Sequence, residues 1–163
     1  MAIVFLGLGS NLGDREANIQ KALTLLKENE EINVLSISNW IETDPEGGAP
    51  QGKFLNGALK IKTDLLPLDL LSQTKMIERR CGRVKAAPNS PRTLDIDILF
   101  YDDVVILEGK TLTIPHPRLA SRRFVLEPMI EIAPDFVHPR LHKTMQTLYG
   151  ELQNENRPQF SDA

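Results

Sequence analysis

The sequence predicts an α+β fold built on a mostly antiparallel sheet. Two periodicities alternate along the chain: short apolar or alternating runs, typical of strands, and apolar residues spaced three and four apart, typical of helices. These elements follow one another in the order β-α-β-β-α-β. That order is the split βαβ, or ferredoxin-like, arrangement, in which two helices pack on one face of the sheet and leave the other face for ligands.

Length and composition favour a single domain. The chain has 163 residues, of which 41% are hydrophobic and 25% are charged, and this is enough for one buried core. We expect the domain to occupy residues 1–152 and the polar residues 153–163 to form a C-terminal tail. No apolar run approaches the ~18 residues of a membrane span, and no basic segment precedes the first apolar run as in a signal peptide. We therefore expect a cytoplasmic protein without a membrane partner, and we also expect a monomer.

Overall charge argues against a nucleic-acid-binding protein, and cysteine content argues against a disulfide-stabilised one. Nineteen basic and 22 acidic residues give a net charge of -3, so no overall positive field favours nucleic acid. The single cysteine, Cys81, cannot form an internal disulfide, and its helical spacing from Ile77 predicts a buried side chain. A polyanionic ligand would have to be held by a local cluster of cations.

The first half of the chain is predicted to form three strands and a helix. Residues 3–8 are apolar on both faces, as in a central strand. Asp14 is well placed to cap a helix. The apolar residues of that helix share one face: Ile19, Ala22, Leu23 and Leu26. Residues 34–41 and 54–61 are rich in β-branched and apolar side chains and predict two more strands, joined by a long mobile loop at 43–52.

The second half begins with another helix and strand. Pro67 fits the first turn of the helix and Gly82 is placed to end it. Its predicted buried face comprises Leu70, Thr74, Ile77 and Cys81. A loop at 83–93 leads to a strand at 94–101.

Shorter elements are predicted after this strand. Two apolar runs, 104–107 and 112–114, suggest a β-hairpin around residues 108–110. We expect residues 118–152 to form helical additions to the sheet.

Two carboxylates are predicted to lie together on the strand at 94–101. Strand alternation sends Asp95 and Asp97 to one face. The opposite face receives Leu94, Ile96, Ile98 and Phe100. Carboxylates this close repel each other unless a cation lies between them, and oxygen ligands on a rigid strand suit one or two Mg²⁺ ions. An isolated pair is also compatible with an exposed, solvated strand face.

Basic residues flank this strand on both sides. They are Arg79, Arg80, Arg83, Lys85 and Arg92 before it, and Lys110, His116, Arg118, Arg122 and Arg123 after it. Mg²⁺ with arginine and lysine side chains offsets the charge of a transferring phosphoryl group, so the cluster predicts a nucleoside triphosphate as ligand. The chain has no G-x-x-x-x-G-K-[ST] phosphate loop, so the site is of another type. Each cation taken singly is also compatible with a solvated surface charge.

The strand at 54–61 is predicted to supply a second kind of contact. If its apolar residues Leu55, Leu59 and Ile61 face the core, Phe54 and Asn56 point to the helix-free face, with the aspartates. An aromatic ring and a side-chain amide suit a flat, hydrogen-bonding heterocycle. Core packing of Phe54 is the alternative.

Five blocks of the sequence resemble the signatures of the hydroxymethyldihydropterin pyrophosphokinase family. They read GSNLG at 9–13, FLN at 54–56, PRTLDIDIL at 91–99, IPHPR at 114–118 and RRFVL at 122–126. The resemblance runs in order, with matching spacing, from about residue 3 to residue 134. It implies transfer of the β,γ-diphosphate of ATP to the hydroxymethyl group of 6-hydroxymethyl-7,8-dihydropterin, with AMP as the second product, in folate biosynthesis.

The same resemblance implies a role for each site residue. Asp95 and Asp97 would hold two Mg²⁺ ions, and Arg83 and Arg92 would contact the phosphates during transfer. The implied pterin pocket is lined by Thr43, Asp44, Phe54, Asn56 and Phe124. The implied ATP-binding residues are Lys75, Glu78, Lys85, Ile98, Lys110, Thr113, His116 and Arg122.

The chain departs from the family in the loop at 83–93. Many members carry an Arg-Trp pair there, whereas this chain reads Ala-Pro-Asn-Ser-Pro at 87–91. The only tryptophan, Trp40, is predicted to lie in the second strand. A lid formed by this loop must therefore close through other contacts.

Two other classes of function are compatible with the pattern. A nucleotidyl transferase or cyclase also places paired aspartates on a ferredoxin-like sheet, but it releases pyrophosphate rather than AMP. A non-catalytic ligand-binding module would use the open face without a metal and without consuming ATP.

Overall fold

A five-stranded antiparallel sheet organises the computed structural model. The structure describes residues 1–46, 50–84, 86, 89–107 and 111–155. Within them the strands are β1 (Ala2–Ser10), β2 (Ile32–Ile37), β3 (Ile41–Thr43), β4 (Phe54–Thr63) and β5 (Asp95–Tyr101). The helices are α1 (Arg15–Glu28), α2 (Pro67–Arg80), a 3-10 turn (Leu119–Ser121), α3 (Arg123–Ile132) and α4 (Met145–Glu155). The prediction of a mixed fold on an antiparallel sheet is confirmed.

β1 lies in the middle of the sheet. The strand order is β2-β4-β1-β5, with β3 paired to β4, and every pairing is antiparallel. In the register of β1, Gly9 lies opposite Asn56 of β4 on one side and opposite Asp95 of β5 on the other. The end of β1 therefore brings the predicted heterocycle contacts and the predicted aspartates to the same edge of the sheet.

Helices α1 and α2 pack on one face, as predicted. The Asp14 carboxylate accepts a hydrogen bond from the Ala17 backbone N–H at 3.1 Å and caps α1. Pro67 occupies the first turn of α2, and Gly82 follows its end with a φ of +89°, a left-handed conformation that glycine adopts easily. The buried residues of the two helices join one cluster: Ile19, Ala22, Leu23, Leu26, Leu70, Ile77 and Cys81, against Val4, Leu6, Leu8, Leu59 and Ile61.

The other face is not free of helices, and in this respect the prediction was wrong. Helices α3 and α4 cover one end of it, where Met129 and Leu148 pack with Phe5 and Phe100. Aromatic rings contribute to this second core, where the centres of the Phe5 and Phe136 rings lie 4.9 Å apart. The end of the face near Gly9 lines a cavity.

A β-bulge changes the predicted orientation of Phe100. Phe5 pairs with Phe100, whereas its neighbour Leu6 pairs with Ile98, so Leu99 is an extra residue in β5. An extra residue reverses the alternation beyond it, and Phe100 joins the α3/α4 face instead of the face of Ile98. Asp97 precedes the bulge and keeps its predicted orientation.

The strand predicted at 34–41 is interrupted. β2 ends at Ile37, because the Ser38 Oγ accepts the Ala58 backbone N–H at 2.8 Å in place of a backbone carbonyl. The chain resumes sheet pairing in β3. Trp40 therefore lies between two strands rather than in one, and its ring is packed against Gly57 of β4.

We expect Gly57→Ala to lower the free energy of unfolding by roughly 1–3 kcal/mol, the usual range for overpacking a core. A Cβ at Gly57 would overlap the Trp40 ring and crowd the Ser38 Oγ. Urea denaturation measures the change. The matched control is Gly7→Ala in β1, whose Cβ would meet the Leu99 side chain at an ordinary 3.5 Å. Equal stability of the two variants would contradict this packing.

Two remaining predictions concern the second half of the chain. Ile106 and Ile114 form an antiparallel bridge, with N–H···O distances of 2.7 and 3.1 Å, so the two predicted apolar runs do pair. The predicted hairpin tip at 108–110 lies outside the described residues.

Helix α4 extends to Glu155, three residues into the predicted tail. None of the helices in the described ranges is long and apolar enough to cross a bilayer.

Candidate active site

The open end of the second face carries a cavity lined from four parts of the chain. The structure brings together there all five residues predicted to bind the heterocycle, along with two arginines and both aspartates. The lining comprises Thr43, Asp44, Pro45, Glu46, Gln51, Phe54, Asn56, Asn89, Arg92, Asp95, Asp97, Arg122 and Phe124.

Asn56 is held in place at the floor of this cavity. Its side-chain Nδ2 donates to the Thr43 Oγ1 at 2.5 Å, and the residue is only 8% exposed. Gly9 lies opposite it in β1, and a Cβ there would overlap the Asn56 Oδ1. Gly9 therefore makes room for the amide, a role that nothing in the sequence pattern indicates.

Each aromatic residue of the cavity lies beside an arginine. The Arg92 guanidinium is 5.2 Å from the centre of the Phe54 ring, and that of Arg122 is 5.3 Å from the centre of the Phe124 ring. Both distances are within the range of cation-π attraction. Phe54 lies at the cavity rather than in either core cluster, so the alternative of core packing does not hold.

Arg122 is also bound across the cavity by an acidic residue. Its Nη2 lies 3.0 Å from the Glu46 carboxylate, while its Nε is buried without a hydrogen-bond partner among the described residues. Glu46 follows β3 in the segment that was predicted only as a loop. The resemblance implies that Arg122 binds ATP, and the structure places it in this cavity, beside Phe124.

The two aspartates have different surroundings. The Asp95 carboxylate accepts a hydrogen bond from the Arg83 Nη1 at 2.8 Å and lies 3.6 Å from the Arg92 Nη1. Asp97 has no hydrogen bond or ion pair within the described part of the chain. Burial, followed by the neighbouring charge of Asp95, raises the pKa of Asp97 to about 7. Asp95 is therefore the paired carboxylate and Asp97 the unpaired one.

Glu78 holds the Arg83 side chain that contacts Asp95. Its side chain is 3% exposed, and its Oε2 accepts hydrogen bonds from the Arg83 Nη1 at 2.9 Å and from the Ile96 backbone N–H at 2.8 Å. Lys75 lies 3.4 Å from the other oxygen. Desolvation lowers the pKa of Arg83, but Glu78 and Asp95 outweigh it and raise that pKa overall, so the guanidinium stays charged. The carboxylate predicted to bind ATP thus contacts protein groups and joins α2 to β5.

Four of the predicted ATP-binding residues line a separate cavity beside α2. Its walls include Lys75, Ile98, Thr113 and His116, and it also reaches Asp97. Asp97 is therefore shared by the two cavities. Burial, with a further contribution from Arg122, lowers the pKa of His116 to about 4, so its imidazole is neutral at pH 7. Lys85 and Lys110 lie outside the described residues.

We expect Asp97 and His116 to oppose each other in the pH dependence of stability. The folded state binds the Asp97 proton more tightly than the unfolded state, so this group lowers stability as pH rises from about 4 to about 7. The folded state binds the His116 proton less tightly, so this group raises stability between about pH 4 and 6.5. Each contribution is of the order of 3 kcal/mol.

Single variants separate the two titrations. Relative to the parent, Asp97→Asn should show stability rising from pH 4 to 6.5, and His116→Gln should show stability falling from pH 4 to 7. Urea denaturation at a series of pH values measures both, without added metal. Parallel curves for the parent and the two variants would contradict the assigned shifts.

The aspartate pair suits a divalent cation that takes some of its ligands from the two carboxylates and the others from a substrate. In the described ranges no group of three histidine, cysteine, aspartate or glutamate side chains converges as a metal site. Asp95 and Asp97 supply oxygen ligands on one face of β5, and the Asp97 carboxylate has no protein cation paired with it. Mg²⁺ commonly binds through one or two carboxylates and takes its other ligands from phosphates and water.

Comparison with known proteins places the chain in a family. Residues 5–134 match the family described as 7,8-dihydro-6-hydroxymethylpterin-pyrophosphokinase (HPPK). An Aquifex aeolicus protein named 2-amino-4-hydroxy-6-hydroxymethyldihydropteridine pyrophosphokinase is 46% identical over 93% of this chain and 92% of its own length. The folic acid synthesis protein fol1 of Schizosaccharomyces pombe is 42% identical over 94% of this chain, which spans only 21% of that relative.

Solved structures show the same fold. A crystal structure of HPPK-DHPS in complex with substrates matches 94% of this chain and 44% of its own, with a TM-score of 0.77 and 15% identity. Wild-type HPPK-DHPS of Plasmodium falciparum with pteroate matches 92% of this chain and 44% of its own, with a TM-score of 0.74 and 18% identity. The sequence relatives, together with the match over residues 5–134, decide the assignment. The chain belongs to the 7,8-dihydro-6-hydroxymethylpterin-pyrophosphokinase family.

Proposed function

We propose that this chain transfers the β,γ-diphosphate of ATP to the hydroxymethyl group of 6-hydroxymethyl-7,8-dihydropterin, forming AMP and the pterin diphosphate in folate biosynthesis. The observation that carries the proposal is the position of Asp97 between two cavities. One contains Phe54, Asn56 and Phe124, and the other lies beside α2. Two substrates bound in these cavities would meet at the aspartates.

The residues of each cavity suit one of the two substrates. A pterin ring is flat and carries donors and acceptors on its edge, so Phe54 and Phe124 would contact its faces and Asn56 its edge. The nucleotide would lie along Lys75 and His116, with its phosphates towards the aspartates. The triphosphate of the bound nucleotide would then point towards the pterin hydroxyl. This hydroxyl would attack the β-phosphorus in line with the leaving AMP.

The aspartates and arginines would act on the phosphates. Arg83 and Arg92 lie on either side of the Asp95 carboxylate, where their charge can stabilise the transferring group. We propose that Asp95 and Asp97 hold two Mg²⁺ ions during the reaction. A divalent cation bound there neutralises charge on the attacking and leaving oxygens.

We also propose that the sheet is ferredoxin-like, with β3, α3 and α4 as additions to it. The strand order β2-β4-β1-β5 and the antiparallel pairing support this architecture. A single domain at 1–152, a monomeric state and a cytosolic location remain predictions.

Product analysis tests the reaction directly. The purified protein is incubated with ATP, MgCl₂ and 6-hydroxymethyl-7,8-dihydropterin, and the nucleotides and pterins are separated by chromatography. AMP in equal amount to a pterin diphosphate is the expected result. Release of pyrophosphate would favour a nucleotidyl transferase or cyclase, ADP would indicate single phosphoryl transfer, and no turnover with ligand binding alone would favour a non-catalytic module.

A further inference from the structure

Asn11 connects three parts of the chain although it lines neither of the two cavities. It follows β1, is 8% exposed, and its Nδ2 donates to the Gln51 Oε1 at 2.6 Å and to the Gly52 carbonyl at 3.1 Å. Its Oδ1 accepts the Arg92 backbone N–H at 2.9 Å, and its own backbone N–H donates to the Arg92 carbonyl at 3.1 Å. Both backbone polar groups of Arg92 are therefore bound to one residue.

These contacts fix the backbone from which the Arg92 side chain extends. The Arg92 Nε also donates to the Ser90 carbonyl at 3.1 Å. The guanidinium then lies 3.6 Å from Asp95 and over the Phe54 ring. A long side chain on an irregular segment keeps such a position only if its backbone is held, and Asn11 supplies two of the bonds that hold it.

The same asparagine joins this segment to the segment preceding β4. The Gln51 Nε2 donates to the Asn89 carbonyl at 2.7 Å, so residues 51–52 and 89–92 are linked both directly and through Asn11. Only a side-chain amide combines two donor hydrogens with an acceptor oxygen on so short a stem. Aspartate would keep the acceptor for Arg92, but it would place a charge against the Gln51 and Gly52 oxygens.

We propose that Asn11 is a positioning residue for the phosphate-contacting Arg92, and that it holds the segments at 51–52 and 89–92 together as one unit. The inference rests on the proposed function only for its effect on catalysis. The expected effect of Asn11→Ala is a fall in kcat on the order of 10²-fold, the loss that a displacement of about 1 Å at a reacting group can cause. KM for both substrates should change little, because Arg92 would act mainly in the transition state.

A double-mutant cycle distinguishes positioning of Arg92 from a general structural role. If Asn11 acts through Arg92, adding Asn11→Ala to Arg92→Ala should lower kcat little further. Asn11→Asp, which keeps the acceptor for the Arg92 N–H, should recover part of the lost rate. The matched control is Asn18→Ala, since Asn18 holds the Leu12 carbonyl and the Ser10 hydroxyl of the same turn without contacting Arg92, and it should keep the parent kcat.

Hydrogen exchange tests the inference independently of turnover. In Asn11→Ala, amide exchange should become faster at 89–92 and at 51–52 together, whereas Asn18→Ala should leave both segments unchanged. Unchanged exchange at 89–92, or fully multiplicative kcat losses in the double mutant, would overturn the inference. If Asn11→Ala does not fold, Asn11→Asp tests the link between the segments: exchange should become faster at 51–52, which loses the amide donor, and less so at 89–92, which keeps its acceptor, and unchanged exchange at 51–52 would overturn the inference. Failure of the parent protein to form AMP would reject the proposed function, while the exchange result would still decide the role of Asn11.

Discussion

Replacing Asp97 by asparagine should lower kcat for diphosphate transfer by about 10³-fold, equivalent to roughly 4 kcal/mol of transition-state stabilisation. The substitution keeps the size and shape of the side chain but removes the negative charge shared by the two cavities. AMP release at saturating substrates and Mg²⁺ measures the effect. Near-normal turnover would contradict the assignment of Asp97 to the phosphate and metal site.

The same variant should make the metal-free protein more stable. At pH 8 the Asp97 carboxylate is ionised, because its pKa of about 7 lies below that pH. Burial and the nearby charge of Asp95 make this ionised form unfavourable in the folded protein. Removing the Asp97 charge should raise the free energy of unfolding by roughly 2–4 kcal/mol at pH 8. A gain in stability together with a loss of activity is the expected behaviour of a residue kept for function.

Asp95→Asn is the matched control for the activity and stability measurements on Asp97→Asn. Asp95 is bound to Arg83 and lies near Arg92, so its loss would leave both cations with one partner fewer. We expect Asp95→Asn to reduce activity to a similar degree but to lower stability, by on the order of 1–3 kcal/mol. If Asp97→Asn raises the free energy of unfolding and Asp95→Asn lowers it, the two carboxylates differ as their contacts indicate. Changes of the same sign in both variants would contradict this difference.

The elements that were predicted correctly depend on contacts close in sequence. The Asp14 cap, Pro67 in the first turn of α2 and Gly82 after its end each act within a few residues of themselves. Asp95 and Asp97 share a face because they are two residues apart on an extended strand, before any irregularity. Local chemistry was sufficient for all of these.

The features that were missed depend on the partner segment. The extra residue at Leu99 exists only in relation to the register of β1, so a period of two could not indicate that Phe100 changes face. The end of β2 depends on the Ser38 hydroxyl binding the Ala58 N–H of β4. Asn11 binds Arg92, 81 residues away, and a lone asparagine in a turn gives no sign of that contact.

Arg92→Ala should lower kcat by about 10²–10³-fold, the range found when one preorganised donor to a developing charge is removed. The Arg92 guanidinium lies between the Asp95 carboxylate and the Phe54 ring, so it can contact a phosphate where the two cavities meet. Arg92→Lys should recover only part of the rate, because an ammonium keeps the charge but lacks the planar donor pair. Arg123→Ala is the matched control, since Arg123 is exposed and pairs with Glu127 along α3. If Arg92→Lys were as active as the parent, charge alone would account for the effect, and the planar donor pair of Arg92 would have no part in catalysis.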